Sequence, residues 1–431
     1  MDPRHCRGLR RQARPPQACT GPSASMNAKD PRRTTRTLRM KHRLIPSFLP
    51  TSWLKGAAAL LIMGTAAADF APEPMNVNLS LPATYPGHWL VVHDATFFHM
   101  REGRYLFVDP RADTVGGQLR GMLSADFIAH YEQSAARGEH YVIESFFSRG
   151  GRGGERTDVV TIYDAQNLEV SGEIIIPPRK LSSMPERLAT ALVAEDKLLV
   201  VYNFTPGQSL TVVDLEKREF VAEHGIAGCS LAIPTGDSGV TSLCSDGAFL
   251  TTTLSDGGAS AASVRSAEVF ADHSDPMFEK AGITGGVAYF PTFKGDVVPV
   301  DISGDAAVPG ERWPLASAEE KAAGWRPGGW QVVAADHLGR LYVLMNPNGT
   351  DGSHKDGGGE VWVFDAAEKQ RIMRIPLPNW GVSVGVSNAE QPLLVVTNGE
   401  LQLETYNTAT GEMDRTLLVS MQTPFIVRGV R

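Results

Sequence analysis

The stretch from Asp158 to Pro177, DVVTIYDAQNLEVSGEIIIP, decides the fold. Val159 to Tyr163 consists of β-branched and aromatic residues, which favour a strand. The residues from Asp164 to Asn167 end that strand, because Asp and Asn side chains hydrogen-bond to the backbone two residues further on and tolerate left-handed dihedral angles. Leu168 to Ile176 predicts a second strand, which ends at two prolines. The unit is therefore a hairpin closed by an Asp-led turn.

Six further segments repeat this hairpin along the chain. Together with Asp164, their turn residues are Asp109, Asp214, an irregular Asp256, Asp301, Asp365 and Asn407. These turns are 42 to 64 residues apart, and strand candidates fill the space between them. Two hairpins per repeat make one four-stranded blade, so the sequence predicts an all-β, seven-bladed β-propeller. A β-sandwich or two unrelated β domains would leave the sevenfold recurrence unexplained.

The N-terminal region differs from the repeats. Residues 1–39 are basic and polar with no apolar period, so we expect a disordered leader or a misassigned start, with Met26 or Met40 as the true first residue. Residues 40–68 have the order of a signal peptide: basic residues, a short apolar run and a small-residue cleavage site ending at Ala68. The apolar run is shorter than the roughly 20 residues of a membrane anchor, which favours cleavage. The propeller is then expected over residues 69–431.

Charge and cysteine content narrow the functional classes. The formal net charge of −7 argues against nucleic-acid binding. Beyond the predicted signal peptide only Cys229 and Cys244 remain, and a turn at Gly236 to Gly239 would place them on adjacent strands. In an oxidising compartment such a pair is expected to form a disulfide, and two free buried thiols are the alternative.

Two stretches are candidates for a contact surface. HDATFFHM, residues 93–100, places Phe97 and Phe98 in a loop between strands, where at least one ring is expected to be exposed. GWRPGGWQ, residues 324–331, contains Trp325, Arg326 and Trp330, which are residue types enriched at interface hot spots. In each case packing within the chain is the alternative interpretation.

Motifs of stand-alone catalysis are missing from the sequence. It has no Gly-rich phosphate loop, CxxC pair, GxSxG elbow or HExxH helix, and its histidines are not spaced as a metal cluster. We therefore assign no catalytic residue and no metal ligand. A propeller that gathers axial ligands from several blades, such as a lactonase-like hydrolase, and a non-catalytic scaffold remain alternatives.

The same residues resemble a known family. SRGGRGGERTDVVTIYDAQNL, GWRPGGWQ, GSHKDGGGEVWVFDAAEKQR and the two cysteine segments occur in the order found in the heavy subunit of quinoprotein amine dehydrogenases, from about Trp89 to the end of the chain. This family comprises the methylamine and aromatic amine dehydrogenases. GWRPGGWQ is closer to the methylamine type, whereas HKDGGGEVWVFD and the Phe97 loop are closer to the aromatic amine type.

The resemblance implies a division of labour between subunits. It implies a periplasmic enzyme of two heavy and two light chains that oxidises primary amines and passes electrons to a blue copper protein of the amicyanin or azurin type. The cofactor, tryptophan tryptophylquinone, and the catalytic base would belong to the light subunit. The heavy subunit would line the substrate channel with one phenylalanine, which falls on Phe97 or Phe98 here.

Overall fold

The structure is a computed structural model, and it describes residues 79–270, 274–420 and 422–431. The predicted leader at 1–39 and signal peptide at 40–68 lie outside these residues. Within them, antiparallel strands form an all-β propeller. No helix of the described residues is long and apolar enough to cross a membrane.

The first three sheets follow the chain in order. The first contains β1 (Leu90–Ala95), β2 (Gly103–Val108) and β3 (Leu119–Ala125); the second contains β4 (His130–Ser134), β5 (Glu139–Phe147), β6 (Arg156–Asp164) and β7 (Val170–Ile176); the third contains β8 (Thr190–Val193), β9 (Leu198–Asn203), β10 (Ser209–Asp214) and β11 (Glu219–Gly225). A four-residue helix, α1 (Val115–Gln118), precedes β3, and 3-10 turns lie at Gly150–Arg152 and Arg187–Ala189.

The next two sheets have four and five strands. The fourth contains β12 (Cys229–Thr235), β13 (Gly239–Cys244), β14 (Phe249–Ser255) and β15 (Ser260–Arg265); the fifth contains β16 (Gly282–Thr284), β17 (Val287–Pro291), β18 (Asp296–Asp301), β19 (Val308–Pro309) and β20 (Trp313–Pro314). A 3-10 turn at Asp256–Gly258 joins β14 to β15. The short helix α2 (Ala318–Ala322) follows β20, and Ser317 and Glu320 form a capping box at its start.

The last sheet is larger than the others. Its eight strands are β21 (Arg326–Pro327), β22 (Val333–Ala335), β23 (Arg340–Asn346), β24 (Gly358–Asp365), β25 (Gln370–Val386), β26 (Leu393–Asn398), β27 (Leu403–Asn407) and β28 (Met413–Leu417). A 3-10 turn at Ser353–Lys355 precedes β24. The final strand, β29 (Thr423–Gly429), returns to pair with β1 and completes the first sheet.

The predicted count of seven separate blades is not supported. Each of the seven repeated hairpins is present, but among the residues that the structure describes only five separate sheets have the size of a blade. The hairpins that carry Asp365 and Asn407 share the eight-stranded sheet. The reason is that β25 is 17 residues long and pairs with β24 through its first part and with β26 through its last part.

The Asp-led turns have the expected local chemistry. Asp164 Oδ1 accepts hydrogen bonds from the backbone N–H groups of Gln166 and Asn167, at 2.9 and 3.0 Å. The same acceptor role recurs at Asp109, Asp214, Asp301, Asp365 and Asn407. One boundary differs from the prediction: Leu168 belongs to the turn, with φ of 58°, and the second strand begins at Val170. The Asp256 copy is a 3-10 turn, as its irregular sequence suggested.

The two ends of the strands are chemically different. Successive connections in an antiparallel meander alternate between one end of the strands and the other. We call the side of the molecule that carries the six Asx turns the turn face. The opposite side carries the links between sheets and the loops between the second and third strands of each sheet, including 96–102, 126–129, 148–155, 177–186, 204–208 and 347–357. We call this side the loop face. Apolar cores lie between neighbouring sheets and hold both faces in place.

Candidate functional site

The phenylalanine loop is anchored to the loop face by one of its two rings. Thr96 donates its N–H to the carbonyl of Glu102, and Met100 donates to the carbonyl of Thr96, which closes the loop. The Phe97 ring packs on Phe425 of β29, with 5.8 Å between ring centroids, and lies 6.1 Å from Phe127. Phe97 is 43% exposed, whereas Phe98 is 84% exposed. The expectation of an exposed aromatic ring in this loop is therefore met, and Phe98 has the greater exposure.

Trp330 joins the same aromatic group from a distant part of the chain. Its ring centroid is 4.4 Å from that of Phe425. The ammonium groups of Lys280 and Lys355 lie 5.2 and 5.8 Å from its centroid, within the range of a cation–π contact. Gly329 makes this approach possible, because its φ is 140° and a Cβ there would lie 2.7 Å from Leu344. Phe97 and Trp330 thus both contact Phe425.

Trp325 and Arg326 do not join this group. The Trp325 ring packs on Trp362 at 5.1 Å. The Arg326 guanidinium lies 5.0 Å from the centre of the Phe293 ring and 3.2 Å from Asp351. GWRPGGWQ therefore makes packing contacts within the chain at each of its three prominent residues, and only Trp330 reaches the Phe97 loop.

Phe425 is the central residue that the sequence did not reveal. It lies in TPFIVRG near the end of the chain, 328 positions after Phe97, and no local pattern connects the two. It is 6% exposed and forms a small cluster with Ala95 and Phe127. Its position beside Phe97 follows from the pairing of β29 with β1, which joins the two ends of the described chain in one sheet.

A cavity of about 560 Å³ opens on the loop face beside Trp330. Its lining includes the exposed Phe204, and Met184, Met277, Lys280 and Lys355. Lys280 forms an ion pair with Glu186 at 3.1 Å. The lining therefore combines apolar side chains with polar and charged ones, including the ion pair of Lys280 and Glu186.

The predicted disulfide forms one wall of this cavity. Cys229 at the start of β12 and Cys244 at the end of β13 are directly paired in the ladder and are joined by a disulfide bond. Both residues are 2% exposed. The bond ties the first two strands of the fourth sheet together at their loop-face ends.

Three buried histidines serve as neutral packing groups. Burial lowers the pKa of His93, His130 and His140 to about 3 in each case, with nearby Lys180 or Arg428 adding to the effect. His140 lies between two tyrosine hydroxyls, at 2.9 Å from Tyr85 and 2.8 Å from Tyr131. Among the described residues, no three His, Cys, Asp or Glu side chains are grouped as metal ligands.

The sequence of this chain is similar to those of a known protein family. The family model "Methylamine dehydrogenase heavy chain (MADH)" matches residues 87–428. The methylamine dehydrogenase heavy chain of Methylobacillus flagellatus is 28% identical, over 83% of this chain and 92% of its own length. That of Paracoccus versutus is 29% identical, over 69% and 70%. That of Methylorubrum extorquens is 27% identical, over 83% and 84%.

Similarity to solved structures supports the fold of this chain and nothing further. A periplasmic gluconolactonase of Pseudomonas aeruginosa, PpgL, has a TM-score of 0.50 at 15% identity, covering 78% of this chain and 97% of its own. A putative 6-phosphogluconolactonase of Bacteroides uniformis has a TM-score of 0.51 at 11% identity, covering 79% and 99%. The match over residues 87–428 includes the Phe97 loop, the disulfide and Trp330, and on this ground the chain belongs to the methylamine dehydrogenase heavy chain family.

Proposed function

We propose that this chain is the heavy subunit of a periplasmic quinoprotein amine dehydrogenase, which converts primary amines to aldehyde and ammonia. Its family membership supports this role over a stand-alone lactonase or a non-catalytic scaffold. Methylamine is the first substrate to test, because the curated relatives described above are methylamine dehydrogenase heavy chains. The electrons would pass to a blue copper protein of the amicyanin or azurin type.

The proposed division of labour leaves the redox chemistry to a partner. Two heavy and two light subunits would assemble, and the tryptophan tryptophylquinone of the light subunit would supply the electron acceptor for amine oxidation. The catalytic base would also belong to the light subunit. This chain then contributes no catalytic residue; it holds the light subunit, excludes water from the channel and selects the amine by shape.

The loop face is the surface we propose for the light subunit. Four exposed phenylalanines lie on the loop face of the first three sheets, two in loops and two at the end of β5: Phe98 is 84% exposed, Phe204 51%, Phe146 47% and Phe147 37%. Exposed aromatic side chains gathered on one side of a protein are typical of a protein contact surface. On the turn face the loops instead satisfy their own backbone groups. This contrast supports docking at the loop face, with Trp330 at its edge.

Phe98 is the ring that we assign to the substrate channel. The observation that carries this assignment is the different packing of the two phenylalanines: Phe97 rests on Phe425 and Phe127, whereas Phe98 extends away from the loop. A ring that extends into a channel can select amines by size, and a ring that packs beneath it fixes the loop. Phe97 therefore supports Phe98, and Trp330 packs on Phe425 as well.

The test is the amine preference of the assembled enzyme. Phe98→Ala should change the ratio of kcat/KM for phenylethylamine to that for methylamine by about 10- to 200-fold, because a misfit in an apolar pocket costs about 1–3 kcal/mol. Phe204→Ala is the matched control, since Phe204 is also exposed on the loop face. It should leave the ratio unchanged. An unaltered ratio in a folded, assembled Phe98→Ala enzyme would contradict the assignment.

The subunit assignment has a separate test. The purified chain without a light subunit should show no amine-dependent dye reduction, and addition of the light subunit should restore it together with the quinone absorption. Amine oxidation by this chain alone would overturn the proposed division of labour.

Export is part of the same proposal. The predicted signal peptide at 40–68 would direct the chain to the periplasm, and after cleavage the chain would have no membrane segment. The Cys229–Cys244 disulfide supports an oxidising compartment. N-terminal sequencing of the mature protein should start at Asp69 or within a few residues of it; a cytoplasmic protein that retains residues 40–68 would contradict export.

A further inference from the structure

A second recess lies on the loop face between the first and second sheets. It has a volume of about 440 Å³, which is within the usual range for a small-molecule site. Its rim is aromatic and apolar, formed by Phe146 and Phe147 at the end of β5 and by Met100 of the phenylalanine loop. Its inner wall contains Glu144, Thr161 and Asp126. We call this recess the Glu144 groove.

The carboxyl group of Glu144 is buried in this groove. Only 5% of the residue is exposed, and its Oε1 accepts a hydrogen bond of 2.7 Å from the hydroxyl of Thr161. Burial raises the pKa of Glu144 to about 7, and the nearby Asp126 adds to this effect, while Thr161 and Lys180 oppose it. Thr161, Lys180 and a backbone hydrogen bond at Asp126 thus offset only part of the cost of burying the carboxylate.

The other two carboxylates near Glu144, Asp158 and Asp126, each have an ion-pair partner. Asp158 accepts two hydrogen bonds of 2.7 Å from the guanidinium of Arg156, so this carboxylate is neutralised. Asp126 lies 3.5 Å from the ammonium group of Lys180, which is itself fully buried. Among the described residues Glu144 has no ion-pair partner. Glu144 is thus the buried carboxylate of this group without a paired cation, and Arg101, which also lines the groove, is exposed to solvent.

The residues that line the groove indicate which kind of cation could pair with Glu144. A bare metal ion would need several oxygen ligands, whereas the groove combines one unpaired carboxylate with aromatic rings at the rim. A primary ammonium group can donate hydrogen bonds to the carboxylate, and its organic part can bury apolar surface against Phe146 and Phe147. Arg101 and Glu173 also line the groove, and both are exposed, so a charged ligand retains access to solvent on that side.

We propose that the Glu144 groove is a binding site for a primary organic ammonium ion, in which Glu144 binds the ammonium group and the phenylalanines at the rim contact the organic part. The proposal rests on the proposed function for its relevance, because the groove shares Met100 with the loop that carries Phe98. It would hold the amine beside the channel before oxidation. The site itself is formed by this chain alone.

The test measures binding to the purified full chain, alone and with its light subunit, by titration calorimetry at pH 8 and constant salt. Phenylethylammonium should bind, and 2-phenylethanol, which has the same ring and no charge, should not. Glu144→Gln should weaken binding at least tenfold, because it removes the charge but retains a hydrogen-bond acceptor for Thr161. Glu173→Gln is the matched control, since it removes an exposed carboxylate of the same groove, and it should leave binding unchanged.

Two additional measurements keep the proposal testable if Glu144→Gln does not fold. Phe146→Leu, at a half-exposed rim position, should weaken phenylethylammonium binding about two- to fivefold through loss of the aromatic contact with the ring of the ligand. At pH 7 the wild-type chain should release protons on binding, which is measured in buffers of different ionisation enthalpy. Equal binding of 2-phenylethanol, or binding that survives Glu144→Gln, would overturn the proposal. Neither result depends on amine oxidation, so failure here is distinguishable from failure of the proposed function.

Discussion

The turn face and the loop face are built from the same strands but are stabilised differently. On the turn face, six Asp or Asn side chains accept hydrogen bonds from backbone N–H groups of their own turns, so each turn is complete within about five residues. On the loop face, contacts join residues from different sheets, such as Trp330 to Phe425 and Lys180 to Asp126. We expect functional residues on the loop face. Its loops can vary in sequence while the strands and the Asx turns maintain the scaffold.

The largest loss of stability is expected on the loop face, when Asp158 is replaced. Its fully buried carboxylate accepts hydrogen bonds from Arg156, Ser145 and the backbone of Lys180 on the loop face. Asp158→Ala leaves the guanidinium without its partner and should lower the free energy of unfolding by about 3–5 kcal/mol. Urea denaturation measures this loss. A loss below 1 kcal/mol would show that the loop face does not depend on this network.

Removal of the disulfide should have a somewhat smaller effect. The bond between Cys229 and Cys244 closes a separation of 15 residues, for which the chain-entropy model gives a stabilisation of about 3 kcal/mol. The double substitution of both cysteines by alanine should lower the free energy of unfolding by that amount. Thiol labelling of the denatured, unreduced wild-type protein should find neither of these two cysteines free, and labelling of both would contradict the bond.

Glu144 should make the loop face sensitive to pH. Its pKa is raised to about 7 in the folded state, so the folded protein holds a proton that the unfolded chain has already lost. Its contribution to stability is therefore retained below the unfolded pKa and lost as the pH rises towards 7. Glu144→Gln should raise the free energy of unfolding by up to about 3 kcal/mol at pH 8 and change it little at pH 4. Urea denaturation at the two pH values tests this, and an equal effect at both would contradict it.

The smallest effect is expected on the turn face. Asp164→Ala removes hydrogen bonds to two backbone N–H groups that are open to solvent or half-buried, and water can replace much of them. By analogy with helix N-caps, the loss should be about 1 kcal/mol. Asp164→Asn is the control, because Asn407 has the same role in the last hairpin, and it should cost less. A loss as large as that of Asp158→Ala would remove the distinction between the two faces.

The sequence predicted the turn face well because its chemistry is local. The alternation of β-branched residues and the Asx turns recur often enough to identify the hairpins. The paired cysteines lie in a further hairpin, β12–β13, which the turn at Gly236 to Gly239 predicted. The blade count was wrong for a reason that is not local. Whether β25 breaks into two strands or continues through 17 residues depends on its pairing with both β24 and β26, which no turn residue encodes.

The candidate sites could be predicted only in part. The phenylalanine loop and the tryptophan of GWRPGGWQ stood out because large aromatic side chains and glycines are conspicuous in a loop. Phe425 and Glu144 did not, since each lies in an ordinary strand and takes its role from a neighbouring sheet. Likewise, the different exposure of Phe97 and Phe98 depends on whether a partner ring lies beneath each one.

By itself, then, the sequence determined the all-β class, the seven hairpins, the disulfide partners and the family, because each depends on residues close together in the chain or on their order. The tertiary structure decided which sheets merge, which ring is supported and which carboxylate lacks a cation. These depend on distances between strands that are far apart in sequence, and such distances are fixed only when the sheets pack against one another and β29 closes the ring beside β1.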